Sequence, residues 1–152
     1  MTSETDEFAP IDTVYNAESD YRDKEIHIRH FVVRGNKIEK NLDINDAVRN
    51  CPVDLELSFI EDNPRITDLD NDDVSEIWVI YHLGCHGDVS PTEMKIIMIV
   101  DDKQYMLRGQ RVANIGFNRE VGGEIYSNAF DKLTPVFKNY SDSLWKKHIR
   151  WN

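Results

Sequence analysis

Val53-Asp54-Leu55-Glu56-Leu57-Ser58-Phe59 alternates strictly and Ile77-Trp78-Val79-Ile80-Tyr81-His82-Leu83 does not; together these two stretches decide the fold. Successive side chains of a strand leave opposite faces. Val53, Leu55, Leu57 and Phe59 therefore point one way and Asp54, Glu56 and Ser58 the other, as in a half-buried strand. The second stretch is apolar on both faces and stops at Gly84, which is how a central strand reads. Downstream, 94–100 (M-K-I-I-M-I-V) is another strand, turned at Asp101-Asp102 into 104–108, ended by Gly109 and followed by a further strand over 111–117. Upstream, 25–33 (E-I-H-I-R-H-F-V-V) is rich in β-branched and aromatic residues; Arg34-Gly35-Asn36 supplies turn chemistry, and 37–43 returns as the hairpin partner.

Three local readings complete the pattern. Residues 45–49 make at most one helical turn before Cys51-Pro52, and Ser90-Pro91-Thr92-Glu93 fits a capping box with Pro at the first helical position. At the end of the chain the period changes. Phe130, Leu133, Val136, Phe137, Tyr140 and Leu144 recur at three- and four-residue steps, predicting a helix over 135–149 that starts at Thr134-Pro135. That helix should bury Val136, Phe137, Tyr140 and Leu144, leave Lys138, Asp142 and Lys146 in water, and anchor through Trp145 and Trp151. Residues 1–20 have little period and read as a loose acidic N-terminal arm, with 21–152 as a single domain. The expected class is α+β: an antiparallel β-sheet of about six strands with a C-terminal helix packed on one face.

Composition narrows the function. The 152 residues suffice for one core, and a hydrophobic fraction of 40% argues against disorder throughout. No stretch approaches the ~20 apolar residues of a transmembrane segment. The formal net charge of −10 argues against a nucleic-acid partner, because phosphates are met by clustered Lys and Arg. Acid is concentrated in 1–25 and in 54–76, where nine carboxylates face Arg65 alone, while 132–150 is basic. Such asymmetry speaks to steering and partners. The opening residues lack the basic and apolar regions of a signal peptide. Two locations follow: periplasm or cell surface if a leader was trimmed, and otherwise cytoplasm. Cys51 and Cys85 stand as free buried thiols or as a disulfide; residue types alone leave both open.

The sharpest local signal is Asp68-Leu69-Asp70-Asn71-Asp72-Asp73-Val74-Ser75-Glu76. Carboxylates at alternate positions of a tight loop can turn towards one hard cation. Asp68, Asp70, Asp72, Glu76 and the Val74 carbonyl would supply most of the oxygens Ca²⁺ takes. The competing reading is an acidic turn leading into a strand. His82-Leu83-Gly84-Cys85-His86-Gly87-Asp88 contains zinc-type donors but no completed four-ligand set, so His82 reads as a packed core histidine. Ser90, His86 and Asp88 lie too close together for a nucleophilic triad. Asp54 and Glu56 share one strand face, unlike the paired acids of a glycosidase, and suit contact with a partner instead.

The acidic loop is similar to the short calcium loop between strands in FG-GAP repeats of integrin-like propellers, with Asp73 standing where that loop has Gly. More widely, the chain resembles a bacterial family labelled surface polysaccharide biosynthesis protein, found in Bacteroidota. The resemblance runs through Ile66-Thr67-Asp68-Leu69-Asp70-Asn71-Asp72, Ser75-Glu76-Ile77-Trp78 and Cys85-His86-Gly87-Asp88-Val89-Ser90-Pro91. It continues in Met94-Lys95-Ile96-Ile97-Met98, Leu107-Arg108-Gly109 and the helix over 137–145, covering roughly the last two-thirds of the chain. It implies export, a cell-envelope context and a Cys51–Cys85 bridge, and it names no reaction. If 53–59 and 77–83 pair antiparallel, Cys51 and Cys85 fall at the same end, within bridging range. Two functions are then expected. One is a non-catalytic exported envelope protein, an accessory or binding module meeting a protein or glycan and holding Ca²⁺. The other is an acidic immunity protein that neutralises a basic toxin through complementary charge.

Overall fold

The computed structural model describes residues 21–150 in full and residues 4–8 and 13–15 as strands. In chain order the first strands are β1 (Glu4–Phe8), β2 (Thr13–Tyr15), β3 (Arg22–Arg34), β4 (Lys37–Cys51), β5 (Asp54–Phe59) and β6 (Arg65–Thr67). Then come β7 (Glu76–His86), β8 (Glu93–Val100), β9 (Lys103–Gln110), β10 (Val112–Asn114), β11 (Glu120–Gly122) and β12 (Ile125–Asn128). A 3₁₀ turn (Ala129–Lys132) leads into helix α1 (Pro135–His148). The expected antiparallel sheet is present with six strands in the order β12-β9-β8-β7-β5, and β6 pairs β7 beyond the end of β5. β7 is central, as its two apolar faces require.

Period 2 sends alternate residues of β7 into two cores. Trp78 and Ile80 join Met94, Ile96, Met98 and Leu107 beneath the helix, with Phe130, Phe137, Leu144 and Trp145 above them. Ile77, Val79 and Tyr81 join Leu57, Ile97 and Ile99 on the other face, which is covered by Ile26 and Ile28 of β3. That covering layer is a second, four-stranded sheet in which β3 pairs β1, β2 and β4. Helix α1 starts with Pro135 at its first turn. It buries Phe137, Leu144 and Trp145 and half-buries Val136 and Tyr140, while Lys138 and Asp142 pair at 3.0 Å on the outside. The Trp78 ring stacks on Phe130 at 5.5 Å and meets Tyr140 edge-on at 4.9 Å.

The far end of the helix is fastened by charge. Glu61, between β5 and β6, accepts from Nε and Nη2 of Arg65, each at 2.6 Å, from Lys147 at 3.2 Å, and lies 3.0 Å from His148 Nε2. Those partners, Arg65 first, hold the Glu61 carboxyl down at about 2. Arg111 donates to the carbonyls of His148 and Arg150, each at 3.2 Å, satisfying acceptors the helix end leaves open. Cys51 and Cys85 are disulfide-bonded with Cα atoms 5.7 Å apart. Because Cys51 ends β4 and Cys85 lies in β7, the bridge staples one sheet to the other.

Several local readings are corrected. Residues 45–49 are strand, not a helical turn, because Glu25 and Lys24 of β3 take Ala47 and Val48 as partners and the ladder overrides a weak local preference. Residues 90–93 form no helix: Thr92 is wholly buried and Glu93 already pairs with Leu83 and Gln110. The extended backbone favoured before proline suits this path. The strand expected over 111–117 is the short β10, paired with β11. Within the expected loose arm, residues 4–8 and 13–15 are strands on β3; the rest of 1–20, like the Trp151 anchor, lies outside the described residues. Among the described residues no helix is long and apolar enough to cross a membrane.

Candidate functional site

Two polar clusters lie at opposite ends of β7, both on its helix-facing side. The first is the acidic loop. Left-handed backbone at Asn71 (φ 58°) and Asp73 (φ 64°) folds 68–75 into a tight turn, so Asp73 adopts the conformation for which Gly is the easier residue. Asp68 Oδ1 accepts from the Asp72 amide at 3.1 Å and Asp72 Oδ1 from the Val74 amide at 2.9 Å. These bonds leave Asp68, Asp70 and Glu76 with carboxylate oxygens all within 4.8 Å of one another. Asp72 stands outside that group, its Oδ1 accepting from the Val74 amide. Val74 takes part through its amide rather than through any described carbonyl contact.

Glu76 is the unusual member. It is the first residue of β7 and has no exposed surface. Its Oε2 accepts from Thr67 Oγ1 at 2.6 Å and from the Leu69 amide at 3.0 Å, and Thr67 in turn accepts from Trp78 Nε1 at 2.9 Å. Its Oε1 is buried with no hydrogen-bond partner among the described residues. A buried carboxylate oxygen without a donor costs about 1–3 kcal/mol, more when charged, unless something else meets it. Lost hydration and the nearby Asp72 and Asp68 push the Asp70 carboxyl above its usual range, as expected of acids crowded without a counter-ion.

The second cluster was not legible as a unit in the sequence. In the β5–β7 register, Glu56 faces Gly84 and Ser58 faces His82. Glu56 therefore stands between His82 and His86, four residues apart on one strand face. His82 Nδ1 lies 3.4 Å from Glu56 Oε2, and His86 Nε2 lies 3.9 Å from Glu56 Oε1. Each ring is held through its other nitrogen: His82 Nε2 is 2.7 Å from Ser58 Oγ, and His86 Nδ1 is 2.8 Å from the Asp88 carbonyl oxygen. Glu56 Oε2 and His86 Nε2 are both buried without a hydrogen-bond partner. Burial pushes the Glu56 carboxyl up, countered by His86 and Arg111. Burial, with Arg111 and Lys24 behind it, pushes the His82 imidazole down to about 4.

Of the pair expected to meet a partner, Asp54 is exposed, whereas Glu56 is turned inward between the histidines. A cavity of about 330 Å³ opens beside it, lined by Asp54, Glu56, His86, Asp88, Ser90 and Asn114 among others. Alternation placed Glu56 and Ser58 on one face. Only the pairing register, invisible in any one segment, set them against His82 and His86. No family model, curated protein or solved structure matches the chain.

Proposed function

We propose that this chain is a non-catalytic accessory or binding module of the bacterial cell envelope whose acidic loop is ordered by Ca²⁺. The observation that carries the reading is Glu76 Oε1, fully buried, unpartnered and grouped with Asp68 and Asp70. An all-oxygen set of this kind suits a hard cation. The Cys51–Cys85 bridge supports an oxidising compartment, because disulfides are rare where thiols are kept reduced. The resemblance to surface polysaccharide proteins supports an envelope role, with a glycan or protein as the partner.

The test is a melting curve in chelator and in millimolar Ca²⁺. At a hundredfold excess over Kd, a bound ion adds about 2.7 kcal/mol of stability. Wild type should melt several degrees higher with Ca²⁺, while Asp70→Asn and Glu76→Gln should show little or none of that shift. Identical melting of wild type in both buffers would leave the loop as a turn and remove calcium from the function.

A further inference from the structure

Near the disulfide end of β7 a hairpin displays an aromatic side chain on a backbone that disfavours it. The turn joining β10 to β11 is well tied. The Ile115 amide donates to the Arg119 carbonyl at 2.9 Å, and the Arg119 amide to the Gly116 carbonyl at 3.0 Å. Asn114 Oδ1 accepts from the Gly116 amide at 2.9 Å. Gly116, Phe117 and Asn118 are all left-handed, with φ of 92°, 52° and 55°. Gly and Asn take such angles readily, whereas a bulky residue does so at a cost. Phe117 stands there nevertheless, and it is 100% exposed. Neither local conformation nor burial within the fold accounts for a phenylalanine at this tip. Strained positions and exposed aromatic anchors are both features of binding surfaces.

The same hairpin walls the cavity of about 330 Å³. Ala113 and Asn114 of β10 bound it on one side, with Asp88 and Val89 after β7 and Asp54 and Glu56 of β5. Its acids are unopposed along the wall. Asp54 and Asp88 are exposed, and neither lies within ion-pair distance of a described base. Of the bases whose charge reaches Glu56, Arg111 donates to the carbonyls of His148 and Arg150, and neither it nor Lys24 lines the cavity. Val89, 60% exposed, and Ala113 supply apolar wall. Such a space suits an aliphatic stem whose cationic head meets carboxylates. We infer that this end of the molecule docks a protein partner that places an arginine or lysine side chain in the cavity beside Asp54 and Asp88 and receives Phe117 in an apolar pocket of its own. The inference rests on the binding-module reading and names the class of partner; it makes no use of the acidic loop. A net charge of −10 and a carboxylate wall oppose a phosphate-bearing lipid or nucleic acid at this surface.

The experiment uses the full chain with its disulfide intact. The first probe is a capped peptide with a central arginine flanked by leucines, set against the same peptide carrying uncharged citrulline. At millimolar concentration the arginine peptide should move the amide resonances of Asp54, Asp88, Val89 and Asn114, and citrulline should not. The double variant Asp54→Asn/Asp88→Asn should lose those shifts. No shift with arginine, or equal shifts with both peptides, would overturn the cavity's role. The second arm concerns the tip. Phe117→Gly should melt at or above wild type, because glycine suits the left-handed position and an exposed ring gives up no burial. A lower melting temperature would assign the ring to the fold instead. With benzoylphenylalanine in place of Phe117, irradiation in the native cells should give a protein adduct that Asp54→Lys/Asp88→Lys abolishes. No adduct, an adduct on glycan or lipid, or one indifferent to the charge reversal would overturn the proposal. The Ca²⁺ melt tests the other end of β7, so either reading can fail without the other.

Discussion

The two ends of β7 solve the same problem with different chemistry. At one end Glu76 is buried with an oxygen unmet, and its neighbours are the carboxylates of Asp68 and Asp70. At the other end Glu56 is half-buried with one oxygen unmet, and its neighbours are the imidazoles of His82 and His86. The first set is local, built within nine residues by a turn. The second is non-local, built by pairing two strands that are 24 residues apart at Ser58 and His82. The lesson is that similar orphaned carboxylate oxygens arise by two routes, local turning of the chain and pairing of distant strands. Oxygen-only surroundings suit a hard ion, whereas imidazoles beside a carboxylate can share a proton with it. Helix α1 and the Cys51–Cys85 bridge hold the frame that carries both, so they offer ways to separate the two ends.

Removing the helix contact should have the largest effect and should not discriminate. Phe137 packs in the core that lies between the clusters, and Phe137→Ala should cost about 3–5 kcal/mol in denaturant unfolding. The Ca²⁺ response should weaken as the folded fraction falls. A loss below 1 kcal/mol would mean that the helix contributes little to holding the sheet.

Breaking the disulfide should discriminate. Its sequence separation of 34 corresponds to about 3–4 kcal/mol by the chain-entropy argument. Cys85 is next to His86, whereas the acidic loop lies at the far end of β7. The double variant Cys51→Ala/Cys85→Ala should therefore melt lower, yet keep its Ca²⁺-dependent rise in melting temperature. Loss of that rise would show that the two ends are not independent.

The smallest expected effect is electrostatic. Glu61 lies in the connection that leaves one cluster and approaches the other, and its carboxyl is held at about 2, below its ordinary 4.5. Because the folded-state value is the lower one, this stabilisation is complete above about pH 4.5 and is lost as pH falls towards 2. Glu61→Gln should lower stability at neutral pH and flatten its decline between pH 4.5 and 2. The pairs are partly solvated, so the change should be modest. An unchanged acid limb in the variant would place that decline on other carboxylates.

Much of the framework was legible in advance. Alternation over 53–59 and the doubly apolar run over 77–83 specified a half-buried strand and a central one because the strand period is 2, and the stripe ending at Leu144 specified the helix because its period is 3.6. The sheet with its packed helix followed from those periods. The four-stranded layer on the other face did not, because 45–49 and the strands on the far side of β3 have weak local patterns and acquire their structure only by pairing.

The sites divide along the same line. The amino-acid sequence by itself determined the acidic loop, since a turn brings residues a few positions apart together and Asp68, Asp70 and Glu76 need only local folding to meet. It did not determine that Asp72 would be spent on the Val74 amide, a matter of loop dihedrals. Tertiary structure alone decided that Glu56 would stand between His82 and His86. The reason is register: a slip of one residue in the β5–β7 pairing would send Glu56 to the other face of the sheet, and no property of either strand taken singly records which pairing is made.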